Sequence, residues 1–298
     1  MAKLRVRLKS AWTEQIETES AVFIRDLPLA EADALLSEWA PDAELFTFPG
    51  RRAWYCCEPE CQFRSMENGA WLTARARLGV HEFLWHGHPD RKYRVPHQTH
   101  FEELRANGNL QRQRRAIAIV SNHGGNPLFA HPDLLYRNRL ITGPQVDLFG
   151  RQGWRRYRRA WYSWPRCPAN YRGELPGDWH GMQKRQLMST YKVCVCLENM
   201  NEPGYFTEKF VEAVLAGCIP VYRASADIRD SVLQGACWFD PGDSRWPDEQ
   251  AVQAALDADA QQCLLRNADW LQSSEALRQT NATAVFERIA RALRDSSW

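Results

Sequence analysis

The side chains best suited to chemistry lie between residues 191 and 222, in the segment YKVCVCLENMNEPGYFTEKFVEAVLAGCIPVY. A predicted strand ends at Glu198 and Asn199, a loop with one glycine follows, and Thr207 stands where the N-cap of the next helix belongs. The free N–H groups of the first helical turn, the helix dipole and the charge of Lys209 would act together on an anion. The spacing therefore predicts a binding site for a diphosphate at this helix start.

A second stretch with chemical potential is the loop at residues 151–172, which holds seven arginines and six tryptophans or tyrosines but no acidic residue. Guanidinium groups pair with phosphates, and flat aromatic rings stack on sugars and bases. We expect this loop to line the donor diphosphate or an anionic acceptor. The alternative hypothesis is a protein that uses the loop to bind nucleic acid or an anionic surface, although the chain as a whole predicts no nucleic-acid partner.

Two further patterns suggest metal binding but fit it poorly. Five histidines between residues 81 and 100 follow cysteines at positions 56, 57 and 61, yet their spacings match no structural zinc site. Asp257 and Asp259 supply the letters of a DxD metal motif, but they lie in a stretch of helical pattern, where an exposed helix explains them. The sequence therefore predicts no metal site.

The elements that would position these residues fall into two groups. In residues 1–112, apolar runs predict strands at 4–8, 21–24, 45–48 and 53–57, and a helical pattern occupies 29–39 after Pro28. In residues 113–298, strands are predicted at 116–120, 145–149, 192–197 and 219–222, with helices at 182–190 and 208–216 and a helical tail at 248–294. Apolar strands joined through helices predict a parallel, Rossmann-like sheet in this second domain.

Length and composition agree with two domains. The chain has 298 residues, of which 44% are hydrophobic, and this is enough for two cores. The net charge of +2 gives no global electrostatic argument for nucleic acid or an anionic membrane. No run of 18 apolar residues and no apolar segment behind the basic start occur, so we expect a soluble, cytoplasmic protein. The nine cysteines, an odd number, are expected to be free thiols.

The segment at residues 191–222 resembles the donor-binding motif of the α1,3-fucosyltransferase family, glycosyltransferase family 10. In that family a strand ending Glu-Asn leads to Tyr-x-Thr-Glu-Lys and then to Ala-Gly-x-Ile-Pro-Val-Tyr. Residues 198–199, 205–209 and 216–222 match these motifs in order and spacing. Residues 119–122 and 146–151 resemble the first strand of the family's donor domain and its Val-Asp-x-Phe-Gly-Arg turn. Residues 52–58 resemble the strand that carries its catalytic carboxylate, here Glu58.

The resemblance implies a bacterial-type, soluble glycosyltransferase of α/β fold, GT-B-like, with two Rossmann-like domains facing across a cleft. It also implies GDP-fucose as the donor, a glycan hydroxyl as the acceptor, and an inverting mechanism that requires no metal cofactor. Glu58 would be the general base, because an inverting transfer needs one carboxylate to take the acceptor proton. A lipid-linked acceptor and peripheral membrane contact are compatible with this interpretation, while no transmembrane segment is expected.

The resemblance further implies a set of donor-binding residues, namely Glu198, Asn199, Tyr205, Thr207, Glu208 and Lys209. Lys209 would face the diphosphate, while Asn199, Tyr205 and Glu208 would contact the ribose and the sugar. The family also carries an arginine aimed at the diphosphate between positions 122 and 136, where this chain has none. His131 or Arg137 is expected to substitute for it.

The chain departs from the family at one more point, because Arg223-Ala224 stands where the family has Trp-Gly. This departure affects the expected sugar pocket. Together with the missing arginine, it keeps a further hypothesis open, a catalytically inactive GT-B relative that binds glycans without turnover.

Overall fold

The structure is a computed structural model in which residues 2–9, 15–38, 43–55, 111–121, 131–156, 166–175, 182–242 and 248–295 are described. The chain divides into two compact units. Unit 1 comprises Met1–Val95 together with Ser274–Trp298, and unit 2 comprises Pro96–Ser273. These bounds differ from the predicted domains 1–112 and 113–298, chiefly because the end of the chain belongs with its beginning.

Unit 1 is built on a five-stranded sheet in the order β2-β3-β1-β4-β5. Its strands are β1 (Leu4–Lys9), β2 (Gln15–Glu17), β3 (Ala21–Ile24), β4 (Ala34–Glu38) and β5 (Arg51–Tyr55). Strand β1 runs parallel to β3 and β4, β4 runs parallel to β5, and β2 runs antiparallel to β3. The interior of this sheet is apolar, with completely buried side chains at Val6, Leu8, Phe23, Leu35 and Leu36.

Two sequence predictions in unit 1 are wrong. The helix predicted at 29–39 is a 3₁₀ turn, Leu29–Glu31, followed by strand β4. The strand predicted at 45–48 lies instead in and just after helix α1 (Ala43–Thr47). Successive residues of β4 are buried because the strand lies between two parallel neighbours and is covered on both faces. A short run of this kind cannot be told from a helix by periodicity, which explains the first error.

Unit 2 contains a second five-stranded sheet in the order β10-β9-β6-β7-β8, in which all neighbours run parallel. The strands are β6 (Gln113–Ile119), β7 (Val146–Phe149), β8 (Tyr171–Gly173), β9 (Tyr191–Val195) and β10 (Ile219–Val221). The helices described are α2 (Pro132–Ile141), α3 (Met182–Ser189), α4 (Glu208–Leu215), α5 (Ala226–Asp230), α6 (Glu249–Asp257) and α7 (Ala260–Leu271). The predicted parallel sheet and the predicted succession of helix, strand, helix and strand at 182–222 are confirmed.

Helices α8 (Ser274–Thr280) and α9 (Ala282–Asp295) follow unit 2 in the chain but belong to unit 1. Phe286 of α9 packs edge-on against Phe23, with the ring centroids 4.9 Å apart. The carboxylate of Glu287 accepts hydrogen bonds from the backbone N–H and the hydroxyl of Ser20, at 2.9 and 2.6 Å. The last helix therefore completes the core of unit 1.

The cysteines differ from the prediction at one pair. Cys237 and Cys263 form a disulfide with their Cα atoms 5.2 Å apart, so the expectation of free thiols throughout is wrong. Cys194, Cys196 and Cys218 are free and buried, as expected for thiols in a core. Over the described ranges of the chain, none of the helices combines the length and the apolar character needed to cross a bilayer.

Candidate functional site

Helix α4 begins where the sequence predicts an anion-binding helix start. The hydroxyl of Thr207, the N-cap, accepts a hydrogen bond from the backbone N–H of Lys209 at 3.4 Å. Phe210 and Val211 belong to the buried apolar face of the helix. Gly217, with a φ of 70°, ends the helix as predicted. The start of α4 contacts Glu198, three residues beyond the carboxyl end of β9, and open α/β sheets bind ligands at the carboxyl ends of their strands.

Glu198 is the centre of a polar network at this edge. Its side chain is 2% exposed, and its carboxylate accepts hydrogen bonds from the N–H of Thr207 at 2.8 Å and from the Thr207 hydroxyl at 2.7 Å. The ammonium group of Lys209 donates to it at 3.0 Å and the hydroxyl of Tyr222 at 3.0 Å. A buried carboxylate needs a paired charge and hydrogen bonds, and these donors supply both. Glu198 therefore joins Lys209 and the start of α4 to the loop that follows β9.

The side chain of Lys209 is held by hydrogen bonds but remains accessible to solvent. Its Nζ atom also donates to the Thr207 hydroxyl at 2.9 Å and lies 3.8 Å from the carboxylate of Glu208. The side chains of Lys209 and Glu208 are 22% and 24% exposed, so solvent reaches both. Tyr205 is buried in the loop before the helix, where its N–H donates to the carbonyl of Glu202 at 3.1 Å. The predicted donor-binding residues of this segment thus lie around one helix start.

Tyr222 contributes a neutral donor to the network. Its side chain is completely buried, and this burial, together with the Glu198 carboxylate, raises the pKa of Tyr222 well above its ordinary value. The hydroxyl therefore keeps its proton and donates to Glu198. The ring packs edge-on against Phe206 and Phe210, which holds the hydroxyl in place. The motif ends at Tyr222, but its role in the network was not predicted.

Helix α2 brings a second cation to the same edge. Arg137 is buried, and its Nη1 atom donates to the side-chain oxygen of Asn199 at 2.5 Å. Its Nε and Nη2 atoms donate to the side-chain oxygen of Asn138 at 3.4 and 3.3 Å. Because Asn199 directly follows Glu198, Arg137 and Lys209 contact two adjacent residues. Arg137, one of the two predicted substitutes for the missing arginine, is therefore held beside the helix start of α4.

The start of α2 carries the other predicted substitute, His131. This residue is the N-cap, and its Nδ1 atom accepts a hydrogen bond from the N–H of Asp133 at 3.3 Å. The carboxylate of Asp133 accepts hydrogen bonds from the N–H of Asn201 at 3.0 Å and from Nη1 of Arg223 at 2.9 Å. The guanidinium of Arg223 lies over the ring of Tyr136, 4.7 Å from its centroid. Asp133 thus joins α2, the loop after β9 and the segment after β10.

Asp133 and Arg223 were not predicted as functional residues. The sequence gives a signal only for Arg223, which stands where the resembled motif has tryptophan. An acidic residue in the first turn of a helix is ordinary, and the contact between the two residues spans 90 positions of the chain.

A second buried carboxylate, Asp147, lies towards the amino-terminal ends of the strands of the unit 2 sheet. It accepts hydrogen bonds from Arg115 at 2.8 and 3.0 Å, from Arg172 at 2.8 Å and from the hydroxyl of Tyr191 at 3.2 Å. Burial alone would raise the pKa of Asp147, but the two guanidinium groups outweigh it and lower the pKa below its ordinary value. Because these partners belong to β6, β8 and β9, Asp147 links the strands of the sheet.

The basic and aromatic loop at 151–172 begins inside the core of unit 2. Trp154 is completely buried, and its Nε1 atom donates to the carbonyl of Val120 at 2.6 Å. Gly150 is required because a Cβ atom there would lie 2.0 Å from that carbonyl oxygen. The hydroxyl of Tyr171 donates to the carbonyl of Gly150 at 2.8 Å. Trp154 and Tyr171 therefore pack against the core of unit 2. Residues 157–165 lie outside the described ranges.

Glu58, predicted as the general base, lies outside the described ranges. The five histidines between residues 81 and 100, for which the sequence predicts no metal site, lie outside them too. The two aspartates of the DxD letters are described. Asp257 ends α6 and pairs with Arg114, and Asp259 is the N-cap of α7, where it accepts two backbone N–H bonds. Both therefore act at helix ends, close to the exposed helix that was predicted.

Comparison with solved structures finds the same architecture in an α1,3-fucosyltransferase, with a TM-score of 0.50 and 13% sequence identity over 99% of this chain and 91% of that chain. An α1,3-fucosyltransferase with GDP has a TM-score of 0.49 at 14% identity, over 99% of this chain and 91% of that chain. A sucrose-phosphate synthase from Thermosynechococcus elongatus has a TM-score of 0.46 at 12% identity, over 98% and 89%. No protein-family model and no curated protein matches the sequence. The first likeness shows the fold, mixed α/β and GT-B-like with parallel sheets, and confirms that prediction.

Proposed function

We propose that this chain is an inverting glycosyltransferase that transfers a sugar, most simply L-fucose, from a GDP-sugar to a hydroxyl of a glycan acceptor. The proposal depends on one observation: two cations lie beside the start of α4, just beyond the carboxyl end of β9. Lys209 and Arg137 contact Glu198 and Asn199 there, in the segment that resembles a fucosyltransferase donor motif. The GT-B-like fold supports the same reaction class.

Glu58 and the groups at the carboxyl edge of the unit 2 sheet have separate parts in the proposed transfer. The acceptor oxygen attacks the anomeric carbon of the sugar, the bond from that carbon to the phosphate oxygen breaks, and GDP leaves with the electron pair. Lys209, Arg137 and the N–H groups at the start of α4 stabilise the charge that develops on the leaving phosphate. Glu58 takes the proton from the acceptor hydroxyl. Tyr205 and Glu208 contact the ribose or the sugar.

No metal belongs to the proposal, because side-chain cations and helix N–H groups take over the stabilisation that a metal gives in DxD enzymes. We therefore expect transfer to continue in EDTA at an unchanged rate. Loss of transfer on chelation, restored only by Mn²⁺ or Mg²⁺, would contradict this part of the proposal.

The test of the donor is a thermal-unfolding panel of GDP, UDP, CDP and ADP, with guanosine as the control that lacks phosphates. A ligand at 100 times its dissociation constant that binds only the folded state adds about 2.7 kcal/mol to the unfolding free energy. We expect GDP to raise the melting temperature more than the other nucleotides do. Stabilisation by another diphosphate instead would contradict the guanine assignment, and stabilisation by none would contradict the nucleotide-sugar proposal.

The test of catalysis is the variant Glu58→Gln, which keeps the size of the side chain but cannot accept the proton. It should bind GDP with nearly native affinity and transfer sugar at least about 10²-fold more slowly. Glu60→Gln and Glu67→Gln are measured beside it, because Glu60 and Glu67 are the next candidates for the base. Transfer by Glu58→Gln at a near-native rate would place the base elsewhere, and GDP binding without any turnover by the native chain would favour the inactive glycan-binding hypothesis.

A further inference from the structure

Arg223 is a third cation at the carboxyl edge of the unit 2 sheet, beside Lys209 and Arg137. Its side chain is 14% exposed, and its guanidinium rests on the ring of Tyr136 at 4.7 Å. The hydroxyl of Tyr136 donates to two backbone carbonyl oxygens at 3.0 and 3.2 Å, so the ring is anchored at its far end. An anchored ring restricts where the stacked guanidinium can lie. Arg223 is therefore positioned in advance and is not a freely moving surface cation.

The three cations are linked, directly or through one carboxylate, to one short segment of the chain. Within residues 198–201, Lys209 contacts Glu198, Arg137 contacts Asn199, and Arg223 is connected through Asp133 to the N–H of Asn201. The Cα atoms at the two ends of this segment lie at most about 11 Å apart, because three trans peptide units separate them. Three positive groups linked to so short a segment suit a ligand that carries two adjacent phosphates.

We propose that Arg223 contacts the diphosphate of the donor, while Asp133 pairs with Arg223 without contacting the ligand. The inference rests on the proposed function, since it concerns the same donor site. Asp133 gives one carboxylate oxygen to Arg223, at 2.9 Å, and the other to the N–H of Asn201, at 3.0 Å. A diphosphate offers several anionic oxygens to a planar guanidinium, which binds phosphate through two parallel hydrogen bonds.

The two members of this ion pair have opposite relations to an anionic ligand. Arg223 attracts the diphosphate, whereas Asp133 carries the same sign of charge as the diphosphate and repels it. An ion pair that serves only the fold has no such asymmetry, because removing either partner loosens the same contact. The signs of the two effects on ligand affinity therefore distinguish a binding role for Arg223 from a purely structural one.

The experiment measures by calorimetry the affinities of GDP, guanosine and inorganic pyrophosphate for the native chain and for Arg223→Gln, Arg223→Lys and Asp133→Asn. We expect Arg223→Gln to weaken GDP and pyrophosphate by about 10-fold or more and to leave guanosine unchanged, because it removes a charged hydrogen bond to phosphate. Arg223→Lys keeps the charge and should lose less. Asp133→Asn should bind GDP as tightly as the native chain or about two- to threefold more tightly, because a like charge is gone.

Arg229→Gln is the matched control, since Arg229 is 49% exposed on α5 and its removal changes the net charge equally. It should leave all three affinities unchanged. Thermal unfolding without ligand identifies any variant that fails to fold. If Arg223→Gln fails to fold, its place in the comparison is taken by Arg223→Lys. Equal losses of GDP affinity in Arg223→Gln and Asp133→Asn, an equal loss for guanosine, or no loss in Arg223→Gln would each overturn the inference.

Failure of the proposed function is distinguishable from failure of this inference. If the native chain binds UDP or ADP in place of GDP, the guanine assignment falls, and the same variants are tested with that nucleotide. If the native chain binds neither a nucleoside diphosphate nor pyrophosphate, the proposed function and the role of Arg223 fall together. If it binds GDP and Arg223→Gln binds it equally well, only the role of Arg223 falls.

Discussion

Glu198 and Asp147 are two buried carboxylates of unit 2, with side chains 2% and 7% exposed, yet their surroundings differ. Asp147 takes its hydrogen bonds from side chains on the strands β6, β8 and β9. Glu198 takes its hydrogen bonds from a helix start and from Tyr222, just after β10. The exposed fractions of the two side chains alone do not distinguish the two residues. The origin of the donors shows that one cluster joins strands to one another, while the other joins the start of α4 and Tyr222 to the loop after β9.

The largest expected effect is a loss of unfolding free energy, which should be greater when Glu198 is removed than when Asp147 is removed. Glu198→Ala leaves the ammonium of Lys209 and the completely buried hydroxyl of Tyr222 without their carboxylate, so we expect the unfolding free energy to fall by about 3–5 kcal/mol. Asp147→Ala should cost less, about 1–3 kcal/mol, because Arg115 and Arg172 are 36% and 48% exposed and water can solvate them. Urea unfolding measures both. A larger loss in Asp147→Ala would reverse the comparison.

The next effect concerns nucleotide affinity and uses one cation from each cluster. Lys209→Ala should weaken GDP binding by about 1.5–3 kcal/mol, the range for a charged hydrogen bond. Arg172→Ala removes an equal charge that is paired with Asp147, and it should leave GDP affinity within about twofold. Isothermal calorimetry checks both variants. Unchanged affinity in Lys209→Ala would remove Lys209 from the site, and a loss in Arg172→Ala would extend the site to the strand cluster.

A smaller difference is expected between the two tyrosines that donate to these carboxylates. Tyr222→Phe should lower the unfolding free energy by about 1.5 kcal/mol, because a completely buried 3.0 Å hydrogen bond to a charged group is lost. Tyr191→Phe should cost about 1 kcal/mol or less, since its hydrogen bond is 3.2 Å long and two arginines still hold Asp147. Chemical unfolding at one protein concentration compares the pair, and equal costs would mean that the two hydroxyls are equivalent.

The smallest effect appears only in acid. The folded-state pKa of Asp147 is lowered by Arg115 and Arg172 against the opposing effect of burial. Its charge therefore contributes stability above the unfolded-state pKa of about 3.9, and this contribution is lost as the pH falls through the lower folded-state value. The difference in unfolding free energy between the native chain and Asp147→Asn should be greatest above about pH 4 and shrink below it. A difference that stays constant down to pH 2 would show that the charge of Asp147 does not matter.

The sequence predicts the elements around the start of α4 because local rules determine them. Thr207 is the N-cap and Gly217 the stop of α4, and each signal acts within a few residues of its own helix. Strand β4 was mistaken for a helix because its burial on both faces depends on neighbours that are distant in sequence. The ion pair of Asp133 with Arg223 could not be foreseen for the same reason. It exists only once β10 and α2 are brought together across 90 residues.

The return of α9 to unit 1 has a consequence for biosynthesis. A ribosome adds roughly 5–20 residues per second, so residues 96–273 take roughly 10–40 s to follow the first part of unit 1. Unit 2 is continuous and can fold while translation proceeds. The sheet of unit 1 must wait for Phe286, which packs against Phe23, until residues 96–273 have been made. The nascent polypeptide thus completes its later unit first and exposes an apolar surface on the earlier one during that interval.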